Sequence, residues 1–245
     1  MAKPLPLETI PVFSKANPPS SDFDFNAGSI LLVNKEKDWT SFDAVKFIRS
    51  RVKTKKVGHA GTLDPMATGL LILCTGKATK SISQLQEMSK TYVGEITFGG
   101  STPSYDAESD VDETGPTNHI TEERIHEILK NQFSGDIQQV PPMYSALKRD
   151  GQRLYELARR GKTVELEPRP VTIHSHQVID YSAPKLILSI TCSKGTYIRS
   201  IAHDFGIALE TRAHLSALER TQIGEYSSAI AYTPHELDDI LRQDG

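Results

Sequence analysis

Residues 58–74, GHAGTLDPMATGLLILC, join a glycine-rich loop to an unbroken apolar run. The run Leu70–Cys74 is short and follows Gly69, which is typical of a buried strand. Three glycines within twelve residues allow a sharply folded backbone, and Pro65 disfavours helical dihedrals at Asp64. The stretch therefore predicts a loop that displays a carboxylate beside a buried strand, although a simple Asp-Pro turn between two elements explains the same residues.

Strands and helices alternate on both sides of this stretch. Strand-like runs lie at 29–33, 92–98, 171–181 and 185–192, and helical patterns start at 39–43, 121, 198 and 234. The last two strand-like runs flank a Ser-Ala-Pro turn and predict a hairpin. In the first helix, the apolar residues recur at near-helical spacing: Phe42, Val45, Ile48 and Val52. This order predicts a mixed α/β fold with a largely antiparallel sheet and flanking helices.

Length and composition exclude several classes of protein. The 245 residues are 38% hydrophobic and 24% charged, which excludes a collagen, a disulfide scaffold and a disordered chain. The two cysteines, Cys74 and Cys192, each end an apolar run and predict two buried, reduced thiols in a cytoplasmic protein. No run approaches 18 apolar residues and the N-terminus lacks a secretory core, so the sequence predicts neither a membrane span nor a signal peptide.

Charge is distributed unevenly along the chain. The formal net charge of −3 argues against a nucleic-acid-binding protein, which usually has a basic surface. However, residues 44–62 carry six basic side chains and no acidic one, and residues 147–162 carry six more against two acids. Residues 104–127 hold eight acids. A solvated face explains a single charged run, but two basic runs flanking a glycine-rich loop favour contact with phosphates.

Three other features carry side chains that could act in catalysis or binding. Arg199 follows a strand end and a glycine, where it could hold a carboxylate through two hydrogen bonds or lie exposed on a first helical turn. Tyr92 stands at a strand start and could pack in the core or act in catalysis. His174 and His176 share a strand face but have no third ligand at metal spacing, so no metal site is predicted.

Five motifs together resemble the bacterial tRNA pseudouridine-55 synthase family, known as TruB. They are LLVNK at 31–35 with WTS at 39–41, GHAGTLDP at 58–65, KTY at 90–92, PMYSALK at 142–148 and SKGTYIR at 193–199. The resemblance covers most of residues 29–226. The chain departs from the family pattern after the first motif, where Glu36 and Asp38 replace the usual Pro and Gly.

The resemblance implies a fold, a reaction and a set of site residues. The fold is the pseudouridine synthase fold with a thumb-like insertion, and the reaction isomerises uridine 55 in the T-arm of tRNA by base flipping, without cofactor or metal. It makes Asp64 the nucleophile, Arg199 its ion-pair partner and Tyr92 the ring that stacks on the target base. The other implied substrate-binding residues are Tyr197, Leu218, His59, Lys35, Asp106, Lys148 and Arg153.

The same resemblance predicts the domain organisation. Residues 1–28, rich in Pro and Ser, form an extended, weakly ordered arm. Residues 29–233 form the catalytic domain, with the thumb at about 133–161, and residues 234–245 are a tail too short for a PUA-type RNA-binding domain. The expected partner is the T-arm stem-loop of tRNA, with no membrane and no obligatory protein partner, which predicts a cytoplasmic monomer.

Two other functions fit parts of the same sequence. A non-catalytic chaperone that binds and refolds tRNA needs the same basic runs but no nucleophile. A hydrolase with an Asp nucleophile would need motifs such as DxD, and none is present. Release of tritium from uridine C5 separates the isomerase from the chaperone.

Overall fold

The computed structural model describes residues 3–145, 147–149, 151–162 and 164–242. Ala146 of the fourth motif and residues 243–245 of the predicted tail lie outside this range. The strands are β1 (Val12–Phe13), β2 (Ile30–Lys35), β3 (Val57–His59), β4 (Thr68–Thr75), β5 (Lys90–Phe98), β6 (Gly100–Ser101), β7 (Glu113–Thr114), β8 (Gly135–Gln139), β9 (Lys148–Arg149), β10 (Gln152–Arg153), β11 (Arg169–Ser182), β12 (Lys185–Cys192), β13 (Ala213–Ile223) and β14 (Tyr226–Ser227).

Six α-helices accompany these strands within the described residues. They are α1 (Ser41–Arg51), α2 (Ile82–Glu87), α3 (Glu122–Gln132), α4 (Leu154–Arg159), α5 (Ile198–Ala208) and α6 (Pro234–Arg242). Short 3-10 helices lie at Leu7–Thr9, Gly76–Ser81 and Ser228–Ile230. None of the described helices is long and apolar enough to cross a membrane.

The chain divides into two compact units, residues 1–92 with 219–245 and residues 93–218. In the first unit, β2 and β4 pair antiparallel from Ile30↔Cys74 to Lys35↔Gly69. The end of β13 pairs parallel with the start of β4, and β1 pairs parallel with β2. Strand β4 is apolar and buried almost throughout, as the sequence predicts for the run from Leu70 to Cys74.

In the second unit, the strands follow the order β13-β5-β12-β11-β8. Strands β11 and β12 form the predicted hairpin, and β8 pairs antiparallel with β11. The core of this unit includes Phe205, whose ring lies 5.4 Å from that of Phe133 and 5.9 Å from that of Phe98. Antiparallel pairs therefore predominate, which confirms the mixed α/β fold class.

Helix α1 begins where the sequence predicts, but one residue of its predicted apolar face is wrong. Thr40 and Asp43 form a capping box, each side chain accepting a hydrogen bond from the backbone N–H of the other. Val45 and Ile48 are buried, whereas the Phe42 side chain is 63% exposed. Phe42 lies on the solvent face because the buried face of the first turn belongs to Ser41 and Ala44.

The expected weak order of residues 1–28 is also wrong for most of the segment. Strand β1 adds to the sheet, and Phe13 and Phe25 are buried. The ring of Phe23 lies 4.7 Å from that of Phe13 and 5.0 Å from that of Phe25, both edge-on. The Tyr232 hydroxyl donates to the Ser14 carbonyl at 2.6 Å. Aromatic packing orders this proline-rich segment, and proline content alone did not reveal it.

Candidate active site

Asp64 lies on the loop between β3 and β4 in the first unit and is half-buried. A tight turn follows, in which the Ala67 N–H donates to the Asp64 carbonyl at 3.1 Å. On the other side, the backbone of Leu63 is held by Ser41, whose hydroxyl accepts from the Leu63 N–H at 2.8 Å and donates to its carbonyl at 3.1 Å. The start of α1 therefore fixes the residue that precedes the carboxylate.

Lys35, at the end of β2, supports the same loop from a buried position. Its side chain is inaccessible to solvent, and its ammonium donates to the carbonyls of Trp39 at 2.6 Å, Glu36 at 2.8 Å and Pro65 at 3.2 Å. Burial lowers the pKa of Lys35 to about 8, and the negative charge of Asp64 opposes this shift. The structure thus brings Lys35 and Asp64 together, two of the predicted site residues.

The turn after Lys35 shows how the chain accommodates its departure from the family pattern. Asp38 has a φ of 67°, in the left-handed region that favours glycine, at the position where the family usually has Gly. Its N–H donates to the Pro65 carbonyl at 2.8 Å. Asp is one of the few residues that tolerates this conformation, so the turn is kept and still ties the loop beside Asp64.

Arg220, on β13, is a site residue that sequence reasoning missed. It is 1% exposed, and its guanidinium donates to three carbonyls around the loop: Leu70 at 2.8 Å, Gly61 at 3.1 Å and Thr62 at 3.3 Å. Strand β13 was not predicted either, although its buried positions alternate over much of its length. The signal that could have identified Arg220 is a charged residue at a position that the alternation of β13 predicts to be buried.

The hydrogen bonds of Arg220 to the loop are possible because the backbones of β4 and β13 approach each other closely. Gly69 has a φ of 98°, and a Cβ atom there would lie 2.4 Å from the Arg220 carbonyl oxygen. Only glycine fits such a position without moving β13. Gly69, the last glycine of the stretch at 58–69, therefore sets the distance between β4 and β13, and with it the reach of Arg220 to the loop.

His59 and Tyr92 complete the predicted residues of the first unit. His59 ends β3 and is half-buried; burial is the main factor that lowers its pKa, and within the described residues its Nδ1 atom is buried without a hydrogen-bond partner. Tyr92 lies near the start of β5, next to Thr91, whose carbonyl accepts from the Thr221 hydroxyl at 3.3 Å. Both side chains stay partly accessible, as a substrate contact requires.

In the second unit, Arg199 and Asp106 form a buried ion pair. Both residues are at most 4% exposed, and Arg199 Nε lies 3.5 Å from a carboxylate oxygen of Asp106. Arg199 also donates to the Ser104 carbonyl at 3.1 Å, while Ser104 donates its hydroxyl to Asp106 at 2.6 Å. The acidic loop thus fixes the guanidinium that the family resemblance assigns to the site.

Tyr197 and Leu218 are also placed in the second unit. Tyr197 precedes α5, and its backbone N–H and carbonyl bond to the side chain of Gln139 at 2.8 and 3.1 Å. Gln139 is buried at the end of β8, another element that was not predicted. Leu218 is a buried residue of β13.

Lys148 and Arg153 face each other across a small hairpin. They are register partners of β9 and β10, and both are exposed. Arg153 lies over the ring of Tyr155 at 5.9 Å, and Arg159 covers the same ring at 5.6 Å. The second basic run therefore forms an exposed basic surface on β9, β10 and α4.

Comparison with known proteins identifies the class to which this fold and these residues belong. Residues 49–198 match the profile described as "TruB family pseudouridylate synthase (N terminal domain)", and residues 199–244 match "tRNA pseudouridylate synthase B C-terminal domain". The fold is that of a pseudouridine synthase, an isomerase. The chain belongs to the TruB family, as its motifs predict.

Curated relatives and a solved structure agree with this assignment. The chain is 48% identical over 226 residues to "tRNA pseudouridine synthase B" of Parabacteroides distasonis, covering 90% of this chain and 96% of the relative. It is 49% identical over 210 residues to the protein of the same name from Flavobacterium johnsoniae, covering 83% and 91%. A chain in "Crystal Structure of a Cbf5-Nop10-Gar1 Complex" is similar with a TM-score of 0.68 and 27% identity; the match covers 93% of this chain and 58% of that one.

Proposed function

We propose that this chain isomerises uridine 55 in the T-arm of tRNA to pseudouridine, with Asp64 as the nucleophile. The observation that carries the proposal is the clamped loop: Asp64 is half-buried on a segment held by Lys35, Arg220 and Ser41. Relatives named tRNA pseudouridine synthase B, similar over almost the whole chain, support the substrate.

The reaction is balanced without any added reagent. The N1–C1′ glycosidic bond of uridine breaks, the base rotates within the site, and a C5–C1′ bond forms. The proton on C5 is lost and N1 gains one. A carboxylate beside the sugar and base can act as the nucleophile in this exchange, and catalysis then depends on holding it within about 1 Å of its working position.

The family resemblance supports the roles of the other predicted residues. It assigns Tyr92 to stacking on the flipped base and Arg199, which pairs with Asp106 within the second unit, as the ion-pair partner of Asp64. His59 occupies space left by displaced bases, and Tyr197 and Leu218 line the pocket. Lys35 acts as a positioning residue because its three hydrogen bonds all go to backbone carbonyls.

RNA binding is assigned to the exposed basic side chains of the predicted thumb. Lys148 and Arg153, side by side on β9 and β10, contact phosphates of the T-arm, since shape and phosphate contacts dominate recognition of structured RNA. The enzyme works in the cytoplasm as a monomer, and light scattering of the purified chain with and without tRNA tests the oligomeric state.

Tritium release from tRNA labelled at uridine C5 tests the function. The wild type releases tritium, whereas Asp64→Asn releases none and still binds tRNA. Full release by Asp64→Asn would remove Asp64 from the chemistry. Binding by the wild type without any release would instead favour a tRNA-refolding chaperone. A tRNA transcript with cytidine at position 55 is the matched substrate control.

A further inference from the structure

We infer that the outer face of α1 carries an RNA strand away from the Asp64 loop, through a stripe that consists of Phe42, Lys46, Arg49, Lys53 and Lys55. This rests on the proposed function and adds a second RNA-binding surface to it. On α1, Phe42, Lys46 and Arg49 follow one another at four and three residues, which places them on one face of the helix.

The structure separates this stripe from Arg51 of the same basic run. Arg51 is half-buried and pairs with Asp238 at 3.1 Å, and its guanidinium lies 3.7 Å from the centre of the Phe47 ring. Arg51 therefore serves packing. Within the part of the chain that the structure describes, the four cations of the stripe form no ion pair, and all are exposed.

One acid offsets part of the charge of the stripe. Asp43 interacts electrostatically with Lys46, while its carboxylate accepts from the Thr40 hydroxyl at 2.6 Å and from the Thr40 N–H at 3.0 Å; this leaves Arg49, Lys53 and Lys55 as the uncompensated cations of the stripe among the described residues. At the C-terminal end of α1, Arg49, Lys53 and Lys55 line one shallow depression together with Thr54. Three positive charges around one depression suit a polyanion better than any neutral ligand.

Helix polarity alone does not explain the stripe. Cations are favoured near the C-terminus of a helix, which accounts for Arg49 and Lys53. It does not account for Lys46 in the middle of α1, nor for Phe42, a large apolar side chain 63% exposed in the first turn. An exposed aromatic ring followed by cations is the combination that binds single-stranded nucleic acid, by base stacking and phosphate contact.

The position of α1 fixes where such a strand would start. Ser41, next to Phe42, holds Leu63, next to Asp64, through two hydrogen bonds. At 1.5 Å per residue, Arg49 lies about 10 Å along the helix from Phe42, or about three nucleotides at 3.4 Å each. The stripe therefore begins at the end of α1 that is tied to the Asp64 loop and leads to the depression at the other end of the helix.

Binding of a tRNA transcript at several salt concentrations tests the cations. In Lys46→Ala/Arg49→Ala/Lys53→Ala, the slope of log affinity against log salt falls by about 2, since each single-strand contact contributes about 0.7. Between 50 and 200 mM salt, the wild-type affinity then drops about 20-fold further than that of the variant. The matched control is Lys77→Ala/Lys80→Ala/Lys130→Ala, which removes three exposed cations elsewhere and keeps the wild-type slope.

Substitution of Phe42 tests the aromatic end of the stripe. Phe42→Ala weakens binding at least about five-fold, the lower range for loss of one stacked base, without changing the salt slope. Phe42→Tyr restores binding because it keeps the ring. The control triple keeps the wild-type rate of tritium release, since none of its residues is assigned to the site or to RNA binding.

Two results would overturn the stripe: an unchanged slope in the triple variant, or an equal fall in the control triple. Unchanged affinity of Phe42→Ala for tRNA would show that the Phe42 ring is not part of the stripe. These outcomes are distinct from failure of the proposed function, because the affinity and the salt slope are compared with those of a wild type that releases tritium. If the wild type itself releases none, the proposed function fails first.

Discussion

Arg220→Met should loosen the Asp64 loop without weakening RNA binding. Arg220 is buried and donates to the carbonyls of Gly61, Thr62 and Leu70. Each buried carbonyl that loses its donor costs about 1–3 kcal/mol, but removal of a buried charge returns part of that loss. We therefore expect a net loss of about 2–4 kcal/mol from the free energy of unfolding, a large share of the roughly 5–15 kcal/mol of a typical domain.

The effect on catalysis is expected to fall on kcat. A displacement of about 1 Å in a catalytic group reduces the rate about 100-fold, and the three carbonyls bracket the nucleophile in the chain. Arg220 does not touch the stripe or the thumb residues within the described contacts, so KM should stay within about two-fold. Arg220→Lys, which keeps the charge but not the forked geometry, should lie between the wild type and Arg220→Met.

Urea denaturation and tritium release, both at a temperature where all variants are folded, measure these effects. Arg51→Met is the matched control, because Arg51 is a partly buried arginine that contacts Asp238 rather than the loop. It should lose stability and keep kcat. If Arg220→Met unfolds within 1 kcal/mol of the wild type and keeps its kcat, or if Arg51→Met loses kcat equally, the clamping role is refuted.

Three more predictions follow from single contacts. Asp106→Asn leaves the buried Arg199 without its counter-charge at 3.5 Å, so urea denaturation should show a loss of about 3 kcal/mol; less than 1 kcal/mol would mean that the pair is unimportant. Gly69→Ala should prevent folding or cost several kcal/mol, because its Cβ would lie 2.4 Å from the β13 backbone, whereas Gly135→Ala, with φ of 70° and open space, should cost about 1–2 kcal/mol; equal melting temperatures would contradict this. The pKa of Lys35 is about 8 in the folded protein and 10.5 in the unfolded chain, so the unfolded chain binds more protons between these pH values. The free energy of unfolding should therefore rise with pH in this range relative to Lys35→Met. Parallel curves of unfolding free energy against pH for the two proteins would contradict the lowered pKa.

The sequence predicts the parts of the site that are local and misses those that depend on distant contacts. The glycine-rich loop, the buried strand after it and the cap of α1 are each contained within a few residues, and all three are found where predicted. Arg220 lies about 150 residues from Leu70, whose carbonyl it binds. No local pattern indicates that contact, because an arginine in a strand usually points to solvent.

The two incorrect expectations have a common physical cause. Periodicity assigned Phe42 to the buried face of α1, and composition assigned residues 1–28 to a loose arm. Both patterns describe the average environment of a residue type. Whether a particular ring is buried depends on the residues that pack against it. The rings of Phe13 and Phe25 contact each other, and Phe13 lies in a strand of the sheet, whereas Phe42 is exposed to solvent. Burial of rings is therefore decided by tertiary neighbours, which a single sequence does not display.

The charge of Asp64 supports Lys35 as well as the proposed reaction, and this affects how the Asp64→Asn variant is interpreted. Asp64 raises the pKa of Lys35 against the effect of burial. Without that charge, the pKa of Lys35 falls below about 8, and the ammonium that binds the Pro65 carbonyl becomes neutral at a lower pH. An inactive Asp64→Asn could thus result from a loosened loop rather than from loss of the nucleophile.

A pH series separates these two causes. If activity is lost only because Lys35 is deprotonated, Asp64→Asn should regain tritium release as the pH is lowered from 8 to 6, because a lower pH favours the protonated lysine. Loss of the nucleophile is independent of pH, so we expect no release at any pH in this range. The wild type, measured over the same range, controls for the pH dependence of the RNA itself. Recovery at pH 6 would assign Asp64 to positioning and require another nucleophile, whereas a flat zero together with wild-type tRNA binding leaves the carboxylate in the chemistry.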